Sequence, residues 1–210
     1  MKRISDLLKP FLAVIFGALL FLCHFNWLSA KGEGLALGII AVVLALYFVV
    51  VGLLGTALGD KFPKKVKEVL NTCGVASYPL FLGVYFILYL VITGRESLPI
   101  GPMGWTIAIF SIAACIGLGV LFLVAFFSKK HIFIRITFLF SCLFVLVLLL
   151  DVLLTDGNPE KLGNVEILKV ILYGVFSGML FNELKVLQEE YKKAPKAASK
   201  KEPEVAEEFK

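Results

Sequence analysis

Six apolar stretches, each close to the ~20 residues an α-helix needs to cross ~30 Å of hydrocarbon, constrain this chain more than anything else in it. They occupy residues 10–28, 35–58, 75–93, 103–127, 132–154 and 165–184. The runs are continuous and do not alternate with a period of two. Their backbone groups are therefore satisfied by intrahelical hydrogen bonds and not by the ladders of a closed barrel. A soluble fold is excluded by composition: the sequence is 59% hydrophobic with a mean hydropathy of +0.91. A chain of 210 residues has too little interior to hide that much apolar surface from water. The expected fold class is all-α: a polytopic membrane protein with a transmembrane domain over 1–187 and a charged tail over 188–210.

Basic residues set the expected orientation. Lys2, Arg3 and Lys9 precede the first stretch, Lys61, Lys64, Lys65 and Lys67 lie between the second and third, Lys129 and Lys130 lie between the fourth and fifth, and Arg135 lies about one turn inside the fifth. The tail from Lys185 onward is lysine-rich as well. The remaining loops carry only Lys31, Arg95, Lys161 and Lys169. Positive residues near helix ends stay cytoplasmic, so both termini are expected inside a cytoplasmic (inner) membrane. The spans then form three hairpins closed by outer turns: Ser29 to Gly34, Thr93 to Gly104, and Thr155 to Asn164 around Asp156-Gly157-Asn158-Pro159. A net charge of +5 reads as a topogenic signal and an affinity for anionic lipid, and no nucleic-acid partner is expected.

A basic start, an apolar run and Leu28-Ser29-Ala30 resemble a signal peptide in outline. The run is too long, and leucine is a poor residue three places before a cleavage point, so the segment is expected to remain as a span. Cys23, Cys73, Cys115 and Cys142 are scattered singly with no CxxC spacing, which predicts buried free thiols and no thiolate metal site.

Between spans two and three, Phe62, Val66, Val69, Leu70 and Cys73 recur at helical spacing while lysines and Glu68 fill the other positions. This predicts a short amphipathic interfacial helix over 61–73, with Pro63 at its first position. Tyr78-Pro79 reads as an interfacial anchor followed by a kink or first-turn proline. Trp27 and Trp105 fall at the outer boundary. Helix six is expected to run on to about Lys193, where Pro195 ends it, and the tail beyond to be disordered.

Small residues four apart lie on one helix face and let backbones approach. Three such pairs are helix-packing candidates: Gly34 with Gly38, Gly55 with Gly59, and Gly174 with Gly178. Ala13 with Gly17 and Ala113 with Gly117 are related. Spans two, three and four carry no ionisable residue in their core, which argues against an ion-driven carrier. Polar residues collect near the outer ends instead. His24, Asn26, Asp151, Glu166 and Lys169 form the candidate ligand-binding set, with an Asp151–Lys169 salt bridge expected between spans five and six. At the inner ends Arg135 is expected to pair with Glu183, with Asn182 near the same level.

One histidine with scattered carboxylates is no metal motif, and no GxSxG, HExxH, Walker A or Rossmann pattern occurs, so no catalysis, metal or cofactor is expected. The expected function is an integral membrane transport component that binds a small neutral or weakly polar ligand and lacks its own energy-coupling site. The alternative is a structural or assembly subunit of a larger membrane complex, meeting its partner through the glycine faces, the 61–73 helix or the tail. A membrane enzyme acting on lipid ranks third.

Overall fold

The computed structural model describes residues 4–29, 31–58, 61, 63–95, 102–155 and 164–198. Six α-helices follow one another: α1 (Ile4–His24), α2 (Glu33–Leu58), α3 (Lys64–Arg95), α4 (Pro102–Ser128), α5 (His131–Thr155) and α6 (Asn164–Ala198), with a 3-10 turn, Phe25–Ser29, completing α1. No strand occurs among the described residues. Five helices, α2 to α6, are long and apolar enough to cross a membrane, and the chain is a helical membrane protein. The apolar part of α1, Pro10–His24, is shorter and rises about 22 Å. The 3-10 turn, at about 2 Å per residue, adds roughly 10 Å.

Each helix packs against its neighbour in sequence, α6 closes the ring onto α1, and α3 also touches α6. The α1–α2 and α3–α4 contacts are the most extensive, and α5 lies against α4 as well as α6. Glycines explain the two tight pairs. A Cβ on Gly17 would sit 2.6 Å from the Ala45 carbonyl oxygen, and one on Gly52 would sit 2.6 Å from the Pro10 carbonyl oxygen. In the second pair, a Cβ on Gly119 would meet Leu80 Cγ at 2.5 Å and one on Gly83 would meet Ile116 Cγ1 at 2.6 Å. Such approaches between backbones are available only where no side chain intervenes.

The centre of the bundle is aromatic. Phe16 of α1 stands edge-on to Phe48 of α2 (4.6 Å between centroids) and to Tyr78 of α3 (5.0 Å), while Tyr78 lies 4.6 Å from Phe176 of α6. Phe144 of α5 completes the cluster at 5.7 Å from Phe176. Phe16, Tyr78, Phe144 and Phe176 are all wholly buried. Edge-to-face contacts of this kind add to the packing beyond the area they bury. Tyr78 is thus a core residue and not the interfacial anchor its place in the apolar run implied, because helix α3 begins eleven residues before the apolar stretch does and carries Tyr78 well into the bundle.

The amphipathic stretch 61–73 is likewise not a separate interfacial helix. Residues from Lys64 onward belong to α3, which runs unbroken for 32 residues, about 48 Å. Nothing between Lys64 and Ala76 breaks a helix, and the weak point, Gly74, is where the Tyr47 and Phe48 rings press in: a Cβ there would lie 3.1 and 3.2 Å from them. Pro63 immediately precedes the helix, and its carbonyl accepts the Lys67 amide at 3.0 Å. At the other end, Pro195 does not stop α6, which continues to Ala198. The start of the tail is therefore helical, steadied by Tyr191 against the His131 ring at 5.0 Å, and residues 199–210 lie outside the described residues.

The α4–α5 reversal is as tight as its length demands. Lys129 adopts a left-handed conformation (φ 52°) and its amide closes α4 on the Ala125 carbonyl at 3.1 Å, a common way to end a helix. Across that hairpin the Thr137 hydroxyl, which bonds the Phe133 carbonyl at 2.7 Å, also reaches the Leu121 carbonyl of α4 at 3.2 Å. Of the four cysteines, Cys23 and Cys115 are buried and Cys73 half-buried, but Cys142 is exposed on the outside of α5, and all four are free thiols.

Candidate functional site

Of the five residues expected to form an outer site, His24 and Lys169 have described side chains; those of Asn26, Asp151 and Glu166 lie outside the described residues. His24 is buried, donates from Nδ1 to the Leu20 carbonyl one turn back at 3.0 Å, and sets its ring edge-on to Phe81 at 5.7 Å. Lys169 is half-buried near the start of α6, a helix that packs against α1. His24 behaves as a packed core residue at the end of α1. No group of three or more His, Cys, Asp or Glu is placed to hold a metal ion among the described residues.

Open space appears at the opposite, lysine-rich end. A pocket of about 430 Å³, counting the part open to solvent, is walled by α1, α2, α3 and α6. Leu12, Ala13, Val51, Val75 and Met179 make its apolar wall, and Tyr47, Asn71, Asn182 and Glu183 supply the polar groups. A second depression, lined by Pro10, Gly52, Gly55 and Lys67, adjoins it through the shared residues Ala13, Val51 and Asn71. The two form one cleft.

Local structure explains each polar group. Lys67, Asn71, Val75 and Tyr78 follow one face of α3 at three- and four-residue spacing. That face enters the core at Val75 and Tyr78 and meets the cleft at Asn71 and Lys67. Gly52 and Gly55 remove the side chains that would fill the gap, so that the Pro10 ring seats against α2, with a Cβ on Gly55 only 3.0 Å from Pro10 Cβ. Tyr47 of α2 donates its hydroxyl proton to the Leu70 carbonyl of α3 at 2.6 Å. With that proton committed, its oxygen faces any further partner as an acceptor.

Glu183 lies one turn from Met179 on α6, is only 9% exposed and lines the cleft. Arg135 is exposed on α5, and no ion pair joins the two among the described residues. The side-chain amides of Asn71 and Asn182 make no hydrogen bond among the described residues, and Lys67 makes no ion pair there. Nearby on the surface Lys64 pairs with Glu68 at 3.4 Å, an i, i+4 contact of small energetic consequence.

The cleft thus combines unsatisfied donors and acceptors with one buried carboxylate in an otherwise apolar wall. That is a hydrogen-bonding recognition set. Sequence reasoning singled out Asn182 and Glu183, both of which line the cleft, and expected Glu183 to pair with Arg135. It missed Asn71 and Tyr47, although the four-residue step from Lys67 to Asn71 within α3 was the available signal. Comparison with family models, with curated proteins and with solved structures finds no match to this chain.

The expected glycine pairs are placed differently from one another. Gly55 and Gly38 are buried, Gly34 is half-buried and Gly59 lies outside the described residues. Gly174 and Gly178 are exposed, and a Cβ on either would meet nothing within 4 Å. This last pair packs against no helix of its own chain.

Proposed function

We propose that this protein is a six-span component of the cytoplasmic membrane, with both termini inside, that binds a small polar ligand from the cytoplasmic side as part of a transport process and performs no chemistry on it. The observation that carries this reading is the cleft at the lysine-rich end, where Asn71, Asn182 and Glu183 line a gap in an apolar bundle. Polar side chains at that depth are costly unless they are used. The site differs in position from the outer cluster of His24, Asn26, Asp151, Glu166 and Lys169, of which His24 is packed against Phe81. α1 completes the sixth crossing through its 3-10 extension, which brings its apolar reach to about 32 Å.

Native mass spectrometry of the full chain released from mild detergent tests the reading. The expected result is a small-molecule adduct near one per chain, lost when Asn71→Leu and Asn182→Leu are combined. Absence of any adduct, with unchanged behaviour of the double variant, overturns it.

A second reading is favoured by the bare face of α6 at Gly174 and Gly178: a structural or assembly subunit whose partner helix lies there. That reading predicts a stoichiometric membrane partner after mild solubilisation.

A further inference from the structure

We infer that the cleft recognises a phosphate ester carrying a primary ammonium group two carbons away, the chemistry of an ethanolamine headgroup. The inference rests on the ligand-binding reading above and names its ligand class.

Three observations converge on it. The deep part of the cleft holds the Glu183 carboxylate and the Tyr47 oxygen, whose own proton is already given to Leu70, beside the Asn71 and Asn182 amides, each of which offers an oxygen acceptor and an NH2 donor. A carboxylate has about four lone-pair positions, so Glu183 accepts a ligand N–H in addition to any contact it already makes. Such a lining favours a cation rich in N–H donors. Next, the shallow part holds Lys67, which makes no ion pair among the described residues and is half-buried. It offers an ammonium to an anion. Lastly, Lys67 and Asn71 stand one helical turn apart, about 5–6 Å between Cβ atoms. A phosphate and an ammonium separated by two carbons span such a gap, each meeting its complement.

Proton donation then separates ethanolamine from choline. A quaternary nitrogen has no proton to give to Glu183 or the asparagine oxygens. The cleft lies at the end of the bundle where headgroups gather, and both a bilayer lipid and a soluble phosphoethanolamine carry this chemistry.

The experiment uses the full chain in nanodiscs of equimolar phosphatidylethanolamine, phosphatidylcholine and phosphatidylglycerol, with retained lipid measured by native mass spectrometry. A parallel thermal-unfolding series adds O-phosphoethanolamine or phosphocholine. Retention of the ethanolamine lipid over the other two by about fivefold or more, falling to near parity in Glu183→Gln, bears out the inference with the bilayer as source. Stabilisation by O-phosphoethanolamine and not by phosphocholine bears it out with the soluble ester as source. In either arm Lys67→Gln weakens binding of all phosphate-bearing forms while leaving the ethanolamine preference. Equal treatment of ethanolamine and choline forms by the wild-type protein in both arms overturns it. If another small molecule stays bound in that case, the ligand-binding reading survives without this identification; if nothing binds, both fall. Because the decisive comparison is made on the wild-type chain, a folding defect in a variant does not obscure it.

Discussion

Tyr47 on α2 and the Leu70 carbonyl on α3 are joined by a 2.6 Å hydrogen bond in the wall of the cleft. The Leu70 amide group belongs to the first turns of α3, the part that extends α3 beyond its apolar run. One phenolic proton therefore ties the lysine-bearing end of α3 to the bundle and fixes the side of the cleft that carries Asn71.

Tyr47→Phe removes this bond and leaves the ring in place. The expected cost is about 1 kcal/mol in unfolding free energy, read as a lowered midpoint in thermal or detergent-induced unfolding. The ligand adduct should weaken at the same time, because Asn71 loses its support. An unchanged adduct would show that the cleft wall is held by packing alone.

The glycines of the bundle divide into two classes with opposite expectations. Gly52→Val places a Cβ against the Pro10 carbonyl and Val14 and should cost roughly 1–3 kcal/mol through overpacking. Gly174→Leu with Gly178→Leu meets nothing within the chain and should leave the unfolding midpoint of the isolated protein unaltered. If α6 is a partner's docking face, the same double variant should abolish co-purification of that partner.

Phe16→Ala takes one ring out of the central cluster and should destabilise by about 2–3 kcal/mol, below the usual 3–5 for a buried phenylalanine in water. The difference arises because the unfolded reference is itself solvated by lipid, so only packing and cavity terms remain. Phe11→Ala, on a side chain 60% exposed on the same helix, should cost almost nothing by the same measurement.

Orientation is tested by accessibility. In a background lacking the four native cysteines, Lys65→Cys should react with a membrane-impermeant maleimide only after the cells are opened, and Ser97→Cys should react in intact cells. The reverse pattern would invert the assigned topology and move the cleft to the outer face.

The parts of this fold legible in the sequence were those governed by length and charge. The apolar runs marked helices α2 to α6 well, and the two-residue link after Ser128 required the tight reversal that Lys129 supplies. The interior was not legible in the same way. A helix such as α6 is apolar on both sides: Leu172, Phe176 and Leu180 are buried, while Ile167, Val170 and Ile171 are exposed, and hydropathy does not distinguish them. Likewise Gly52 and Gly174 look equivalent in sequence, yet one is pressed against Pro10 and the other faces open space.

The sequence by itself determined the solvent of this protein, because ~20-residue apolar runs cannot be dissolved in water and must satisfy their backbone as helices in lipid. Its lysines carried the expected topology. Only the tertiary structure decided which face of each helix turns inward, since lipid is as apolar as the core and the choice falls to shape: glycine approach, aromatic interlock and a few hydroxyl bonds. That choice is what gathers Tyr47, Lys67, Asn71, Asn182 and Glu183, from three helices and distant stretches of chain, around one cleft.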